Sequence, residues 1–298
     1  MFADRSGKRY RAPVLLRPTP SLAGRRVLIT GAARGIGAAL AQRLHERGAR
    51  LALAGLEEDV LAGTAAGVDA PWWSCDVTDR AQVDAAVAGA VDALGGLDVV
   101  VANAGIAAQL PIVGGDPAIF ERILAVNVLG TYYTLRAAGP HLSHPQGYAV
   151  AISSLGGVVH VPLLGAYSTS KAGVEALGNT LRIELAPSGG RVGVAYFAEL
   201  DTDMTTRGFA TEAARSFLGG RSITRVTPLE VGIDALERGI AHRSRRIVAP
   251  AWVAPILPVR MVAQRVVEVA TRRRVEASLQ IARQEQVELT TPQPPVRS

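Results

Sequence analysis

Tyr167 and Lys171 stand four residues apart in the run Ala166-Tyr167-Ser168-Thr169-Ser170-Lys171-Ala172-Gly173. Of the 32 Lys and Arg side chains only Lys8 and Lys171 are Lys, so a Lys kept here marks a position that the planar fork of Arg does not serve. On a helix, residues four apart share a face, so phenol and ammonium can share a site. A phenol with its ordinary pKa of about 10 transfers protons poorly near neutrality, and a nearby cation favours the phenolate. The pair therefore reads as a proton donor with its tuner. Standing alone, the spacing also describes an ordinary surface Tyr and Lys.

A second run has the character of a phosphate cradle. Arg26-Val27-Leu28-Ile29-Thr30 is strand-like, Gly31-Ala32-Ala33-Arg34-Gly35-Ile36-Gly37 is a glycine turn, and Ala38 to Leu44 is helical. Glycines let backbone approach a pyrophosphate, and a helix N-terminus offers free N–H groups and the positive end of its dipole. The spacing is GxxxGxG and not the commoner GxGxxG.

Together these runs resemble the short-chain dehydrogenase/reductase family over roughly residues 24–250. Thr30 to Gly37 is similar to its TGxxxGxG loop, Asp76-Val77 to the acidic position that meets adenine, and Asn103-Ala104-Gly105 to its NAG motif. Asn127 and Ser154 match its catalytic asparagine and serine, Ser154 lying thirteen residues before Tyr167, and Lys171 completes YxxxK. The resemblance implies an NAD(P)-dependent oxidoreductase acting on a carbonyl or alcohol. Tyr167 would exchange the proton, Ser154 hold the substrate oxygen, Lys171 bind the nicotinamide ribose, and Asn127 support a water relay. It also implies dinucleotide contacts from Gly31, Arg34, Gly35, Ile36, Gly37, Asp76, Val77, Asn103, Ala104, Gly105, Tyr167, Lys171 and Thr202. Homo-oligomers, dimer or tetramer, would form through helices 117–138 and 167–186. One departure stands out: Phe197-Ala198 replaces the family's Pro-Gly before Thr202, and Glu199 adds a carboxylate beside it. That change leaves a non-catalytic dinucleotide-binding sensor or scaffold as an alternative.

The elements that must position these residues alternate. Strand-like runs at 26–30, 50–54, 71–75, 97–102, 148–152, 191–197 and 246–249 are separated by helical stretches at 36–47, 57–66, 80–94, 117–138 and 167–186. This predicts an α/β, doubly wound parallel sheet of Rossmann type, with ligands beyond the C-terminal strand ends. Thr227-Pro228-Leu229-Glu230 reads as a capping box opening a helix at 228. Residues 203–226 read as a mobile lid. The chain divides into a basic flexible arm (1–22), a dinucleotide-binding catalytic domain (23–250) and an apolar, basic, helical C-terminal extension (251–298).

No acid ends the second strand, where NAD users commonly place one, and Arg34 offers a partner for a 2′-phosphate; NADP is favoured, with NAD read by Glu57 as the alternative. The runs Leu155 to Leu164 and Ala107 to Val113 are mostly apolar and are expected to border the substrate, pointing to a lipophilic ketone or secondary alcohol. A 3-oxoacyl thioester is the competing substrate.

Composition narrows the remaining choices. The single cysteine, Cys75, excludes an intrachain disulfide and a cysteine metal cluster, and the close pair His141 and His144 lacks a carboxylate pattern, so no metal is expected. The net charge of +6 splits into +6 on residues 1–26, −5 on 27–244 and +5 on 245–298. Basicity confined to the tails argues against nucleic acid and leaves peripheral contact with an anionic membrane open. Val259 to Leu279 reads as one helix with an apolar face of Val259, Val262, Val266 and Val269, able to pack on the core, on a second subunit or on lipid, with protein favoured. No spanning segment and no signal-peptide h-region is seen, so a cytoplasmic protein, peripheral to membranes at most, is expected.

Overall fold

Runs of aliphatic residues build the sheet, because a strand covered on both faces must be apolar throughout. The computed structural model describes residues 19–208, 211–218, 224–285 and 287–294, with the backbone of a short antiparallel pair, Phe2–Ala3 with Arg9–Tyr10. Most of the basic arm at 1–22 thus lies outside the described residues.

Seven strands are arranged in one sheet: β1 (Arg26–Thr30), β2 (Arg50–Gly55), β3 (Trp72–Ser74), β4 (Val99–Ala102), β5 (Tyr148–Ile152), β6 (Arg191–Phe197) and β7 (Arg246–Ala249). Their spatial order is β3-β2-β1-β4-β5-β6-β7, and every pairing is parallel. Successive side chains point to opposite faces, so Val27 and Ile29 enter one core layer and Leu28 the other. Helices α1 (Gly35–Glu46), α2 (Glu58–Gly67) and α9 (Leu229–His242) cover the first face. Helices α3 (Arg80–Leu94), α4 (Pro117–Leu124), α5 (Gly130–Ala138) and α6 (Gly165–Leu185) cover the second. Strand order reverses between β1 and β4, and a crevice opens there at the C-terminal strand ends.

Local signals set most boundaries. Asp79 caps α3 by accepting from the Ala81 and Gln82 amides, and Gly95 closes it with φ 73°. Asp116 caps α4, with Pro117 at its first position. The helix expected over 117–138 is continuous but widens into a π-type turn at Ala125–Leu129.

Two expectations need correction. The capping box at Thr227 does not form: Pro228 is the N-cap and α9 begins at Leu229. Thr227 is held instead in a bridge with Leu200, and Glu230 is taken by Arg43 at 2.9 Å. The helix expected over 259–279 is two helices, α10 (Arg260–Thr271) and α11 (Val275–Ala282). The chain turns at the exposed Arg272-Arg273-Arg274, which lets α11 come back and bury Ala282 against Leu163 and Ala213. Within 203–226, α7 (Asp203–Gly208) and α8 (Glu212–Leu218) form, and residues 209–210 and 219–223 lie outside the described residues.

Candidate active site

The glycine turn divides its labour. Gly31 has φ 64°, and a Cβ there would stand 2.7 Å from the Ala104 Cα, so only glycine lets the β1 turn meet the β4 turn. Gly37 is as crowded, its virtual Cβ 2.7 Å from Asn103 Nδ2. Gly35 differs: with φ 55° it faces open space. Asn103 fastens the two turns, its Nδ2 donating to Thr30 O at 2.9 Å and Gly31 O at 3.0 Å. No side chain caps α1, so its first amides remain available to an anion at the cavity wall.

Ser154, Tyr167 and Lys171, expected to serve proton transfer, line the same cavity, which has a volume of about 550 Å³. Ser154, at the end of β5, accepts from the Gly156 amide at 3.0 Å, and its hydroxyl lies 3.3 Å from Phe197 O. Tyr167 and Lys171 rise from α6, both buried, with the ammonium 5.7 Å from the phenol ring centroid. Lys171 Nζ donates to Ile152 O at 2.9 Å, and the Ser153 hydroxyl pins the Lys171 carbonyl at 2.8 Å. Asn127 sits in the π-type turn and is fully buried. It accepts from Ile106 N at 2.8 Å and donates to Ile106 O and Ser170 Oγ, both at 2.9 Å. The structure thus brings Asn127 and Lys171 beside Gly105, and Ser154 and Tyr167 beside Gly156.

The electrostatics differ from the simple tuning expected. Burial pushes the Tyr167 phenol above its ordinary value, opposed by hydrogen bonding with Ser154. Burial also pulls Lys171 down to about 8. In this state desolvation is the dominant influence on both groups, and the ammonium donates to the Ile152 carbonyl.

At the far end of the cavity, Arg34 does not stand free. It forms a two-pronged pair with Glu57, at the start of α2, and reaches Asp203 at 3.5 Å. Asp76 accepts from Thr78 and from Arg122 Nη2 at 3.0 Å, contacts that hold its carboxyl below the ordinary range despite burial. Beside it Cys75 is 2% exposed, and burial pushes its thiol up to about 12.

A family model for short chain dehydrogenases matches residues 25–213, which include both the glycine turn and the Tyr167–Lys171 pair. The chain belongs to the short-chain dehydrogenase/reductase family. Glycine betaine reductase ATRR of Emericella nidulans is 36% identical over 210 residues, 68% of this chain but only 16% of that protein. L-2,3-butanediol dehydrogenase of Corynebacterium glutamicum is 32% identical over 60% of this chain and 76% of its own length. A short-chain dehydrogenase/reductase from Burkholderia phymatum, solved in complex with NAD, superposes with a TM-score of 0.69 at 25% identity, covering 84% of this chain and 96% of that one.

The runs expected to border the substrate of this dehydrogenase/reductase are where sequence and structure part. Leu155, Val159, Val161 and Leu164 line the cavity as expected. The run at 107–113 does not: Ala107 and Ala108 are packed inside, while Ile112 and Val113 protrude. The C-terminal extension takes that place. Trp252, Ile256 and Val267 line the apolar end, and Thr290, Thr291 and Gln293 line the rim. Thr290 pairs with Ala107 through two hydrogen bonds of 3.0 and 3.1 Å, and Gln293 accepts from Arg122 at 3.0 Å. These residues carry no motif or period that sequence reading could use.

The Phe197-Ala198 departure is absorbed by neighbouring backbone. Ala198 N donates to Ala249 O at 3.0 Å, and Thr227 N to Glu199 O at 2.9 Å. The Glu199 carboxylate is occupied by the Thr224 hydroxyl at 2.9 Å, and Thr202 reaches the cavity wall.

Proposed function

We propose that this protein interconverts a lipophilic secondary alcohol and its ketone with a nicotinamide dinucleotide. The observation that carries the reading is the meeting of Ser154, Tyr167 and Lys171 in a cavity that Leu155, Val159, Val161, Leu164, Trp252 and Ile256 also line. The residues present fit the dinucleotide: open space at Gly35, uncapped amides of α1, and the Asp76 carboxylate along one continuous cavity. When bound there, the nicotinamide supplies the two-electron donor or acceptor. Gly31, Arg34, Gly35, Ile36 and Gly37 would hold its phosphate and ribose end, Asp76 and Val77 the adenine, and Asn103, Ala104, Gly105, Thr202 and Lys171 the remainder.

The chain's own groups handle the proton and the oxygen. The Ser154 hydroxyl exchanges its weak 3.3 Å contact with Phe197 O for the substrate oxygen. Tyr167 gives that oxygen its proton in reduction and takes it back in oxidation. Lys171 holds positive charge beside the phenol below a pH of about 8. Asn127 fixes the Ile106 backbone, which forms the wall opposite.

Where the sequence favoured NADP, the Arg34–Glu57 pair supports a reading in favour of NAD. Arg34 meets two carboxylates, so this corner is net negative and better suited to a 2′-hydroxyl than a 2′-phosphate. The relative solved with NAD supports the same reading. Titration with NADH and NADPH, followed by nicotinamide fluorescence, tests it: tighter NADH binding is expected, and tighter NADPH binding would return Arg34 to the role of phosphate reader. Tyr167→Phe should lower kcat on a hydrophobic ketone by about 10²–10⁴-fold while leaving dinucleotide affinity nearly unchanged. Retained turnover would mean that the proton comes from elsewhere.

A further inference from the structure

The outward face of α10 is apolar, and it adjoins the mouth of the cavity. Val262, Val266 and Val269 are 62–66% exposed, with Val259 and Met261 beside them. The opposite side of the helix is the one that packs: Gln264 meets the His160 backbone, Arg260 pairs with Glu175, and Val267 lines the cavity. The packed side thus mixes Gln264 and Arg260 with Val267, while Val262, Val266 and Val269 face out, which leaves more apolar surface exposed than a helix built only to cover a core. Val266 and the half-exposed Trp252 both line the cavity, so the apolar surface and the cavity rim are one continuous patch.

Charge identifies what this patch meets. Residues 259–274 carry five Arg and one Glu. Glu268 is paired with Arg265, whereas Arg272, Arg273 and Arg274 are exposed and make no ion pair among the described residues. Unpaired arginines beside an exposed apolar face complement an anionic surface. No described helix is long and apolar enough to cross a membrane, so contact would lie along a surface. We propose that α10 docks flat on an anionic lipid surface, its valines at the acyl boundary and Arg272–Arg274 among the headgroups, with the apolar end of the cavity opening at that interface. Docking needs neither cofactor nor turnover, so its test is independent of the proposed reaction.

The test is flotation of the full chain with phosphatidylcholine vesicles, with and without phosphatidylglycerol, together with the double variants Val262→Ser/Val269→Ser and Arg273→Gln/Arg274→Gln. Neither pair lines the cavity. The native chain should float with the anionic vesicles only. Loss of each arginine should weaken partitioning about fivefold, the effect of about 1 kcal/mol per basic residue near the surface, and the valine variant should lose binding with an unchanged melting curve. Absence of flotation with anionic vesicles overturns the proposal. So does binding that persists in both variants, which would assign it to the basic residues 1–26. A fall in sedimenting mass of the valine variant without vesicles would show that a second copy covers the face, and would overturn it equally.

Discussion

Lys171 shows how one side chain can serve chemistry at a cost to the fold. A buried ammonium is disfavoured relative to water, and here it has one carbonyl partner, Ile152 O. Its pKa falls from 10.5 to about 8, equivalent to roughly 3 kcal/mol of destabilisation while it stays charged. Below about pH 8 the charge is present in both folded and unfolded chains and the full penalty applies. Between about 8 and 10.5 the folded chain has shed the proton and the unfolded chain has not, so this group makes stability rise with pH across that window. Lys171→Met is therefore expected to raise the melting temperature at pH 7, to flatten that rise, and to abolish turnover. Calorimetry from pH 7 to 10 checks it; an unchanged melting temperature would mean that the buried charge is better solvated than its surroundings indicate. Sequence revealed this residue through its rarity and its spacing from Tyr167, but not its balance of forces. Spacing places the ammonium beside the phenol; only packing shows that burial sets both pKa values.

Elements were legible in proportion to how far local pattern was left undisturbed by distant partners. β1, β5 and β6 are buried aliphatic runs and appear where the sequence puts them. The box at Thr227 failed because Leu200 and Arg43, far away in sequence, claim its two members. The tail at 287–293 was invisible because a Thr and a Gln that bond backbone and guanidinium leave no period to read. This tail joins the two ends of the cavity: Thr290 holds the Ala107 loop, Gln293 holds Arg122, and Arg122 holds Asp76. Upstream, Glu285 accepts from the Glu212 and Ala213 amides and so ties α11 to α8. Replacing Thr290 and Gln293 by Ala should therefore raise the dinucleotide Kd by about 5–30-fold, on the basis of about 1 kcal/mol per lost hydrogen bond, with a smaller change in melting temperature. Equal affinity in a binding titration would make the tail a bystander.

At the scale of the molecule, a parallel sheet buried on both faces leaves few apolar side chains for its surface, and those that remain are grouped. Leu129 and Tyr132 on the α4–α5 helix and Ile183 on α6 are exposed on the two helices through which self-association was expected. Ile183→Asp should shift the sedimenting species toward monomer if that face is the contact, and an unchanged sedimentation coefficient would exclude it. The separation of charge was readable from sequence, with basic tails and an acidic middle, whereas the placement of α10 beside the cavity needed the folded chain. A last consequence follows from Cys75, the one thiol in 298 residues, set beside Asp76 in the cavity lining and held protonated by burial. Its alkylation is expected to wait on the opening of that corner of the molecule, so the rate of a single mass increment in a thiol reagent would time the breathing of the cavity with no residue changed.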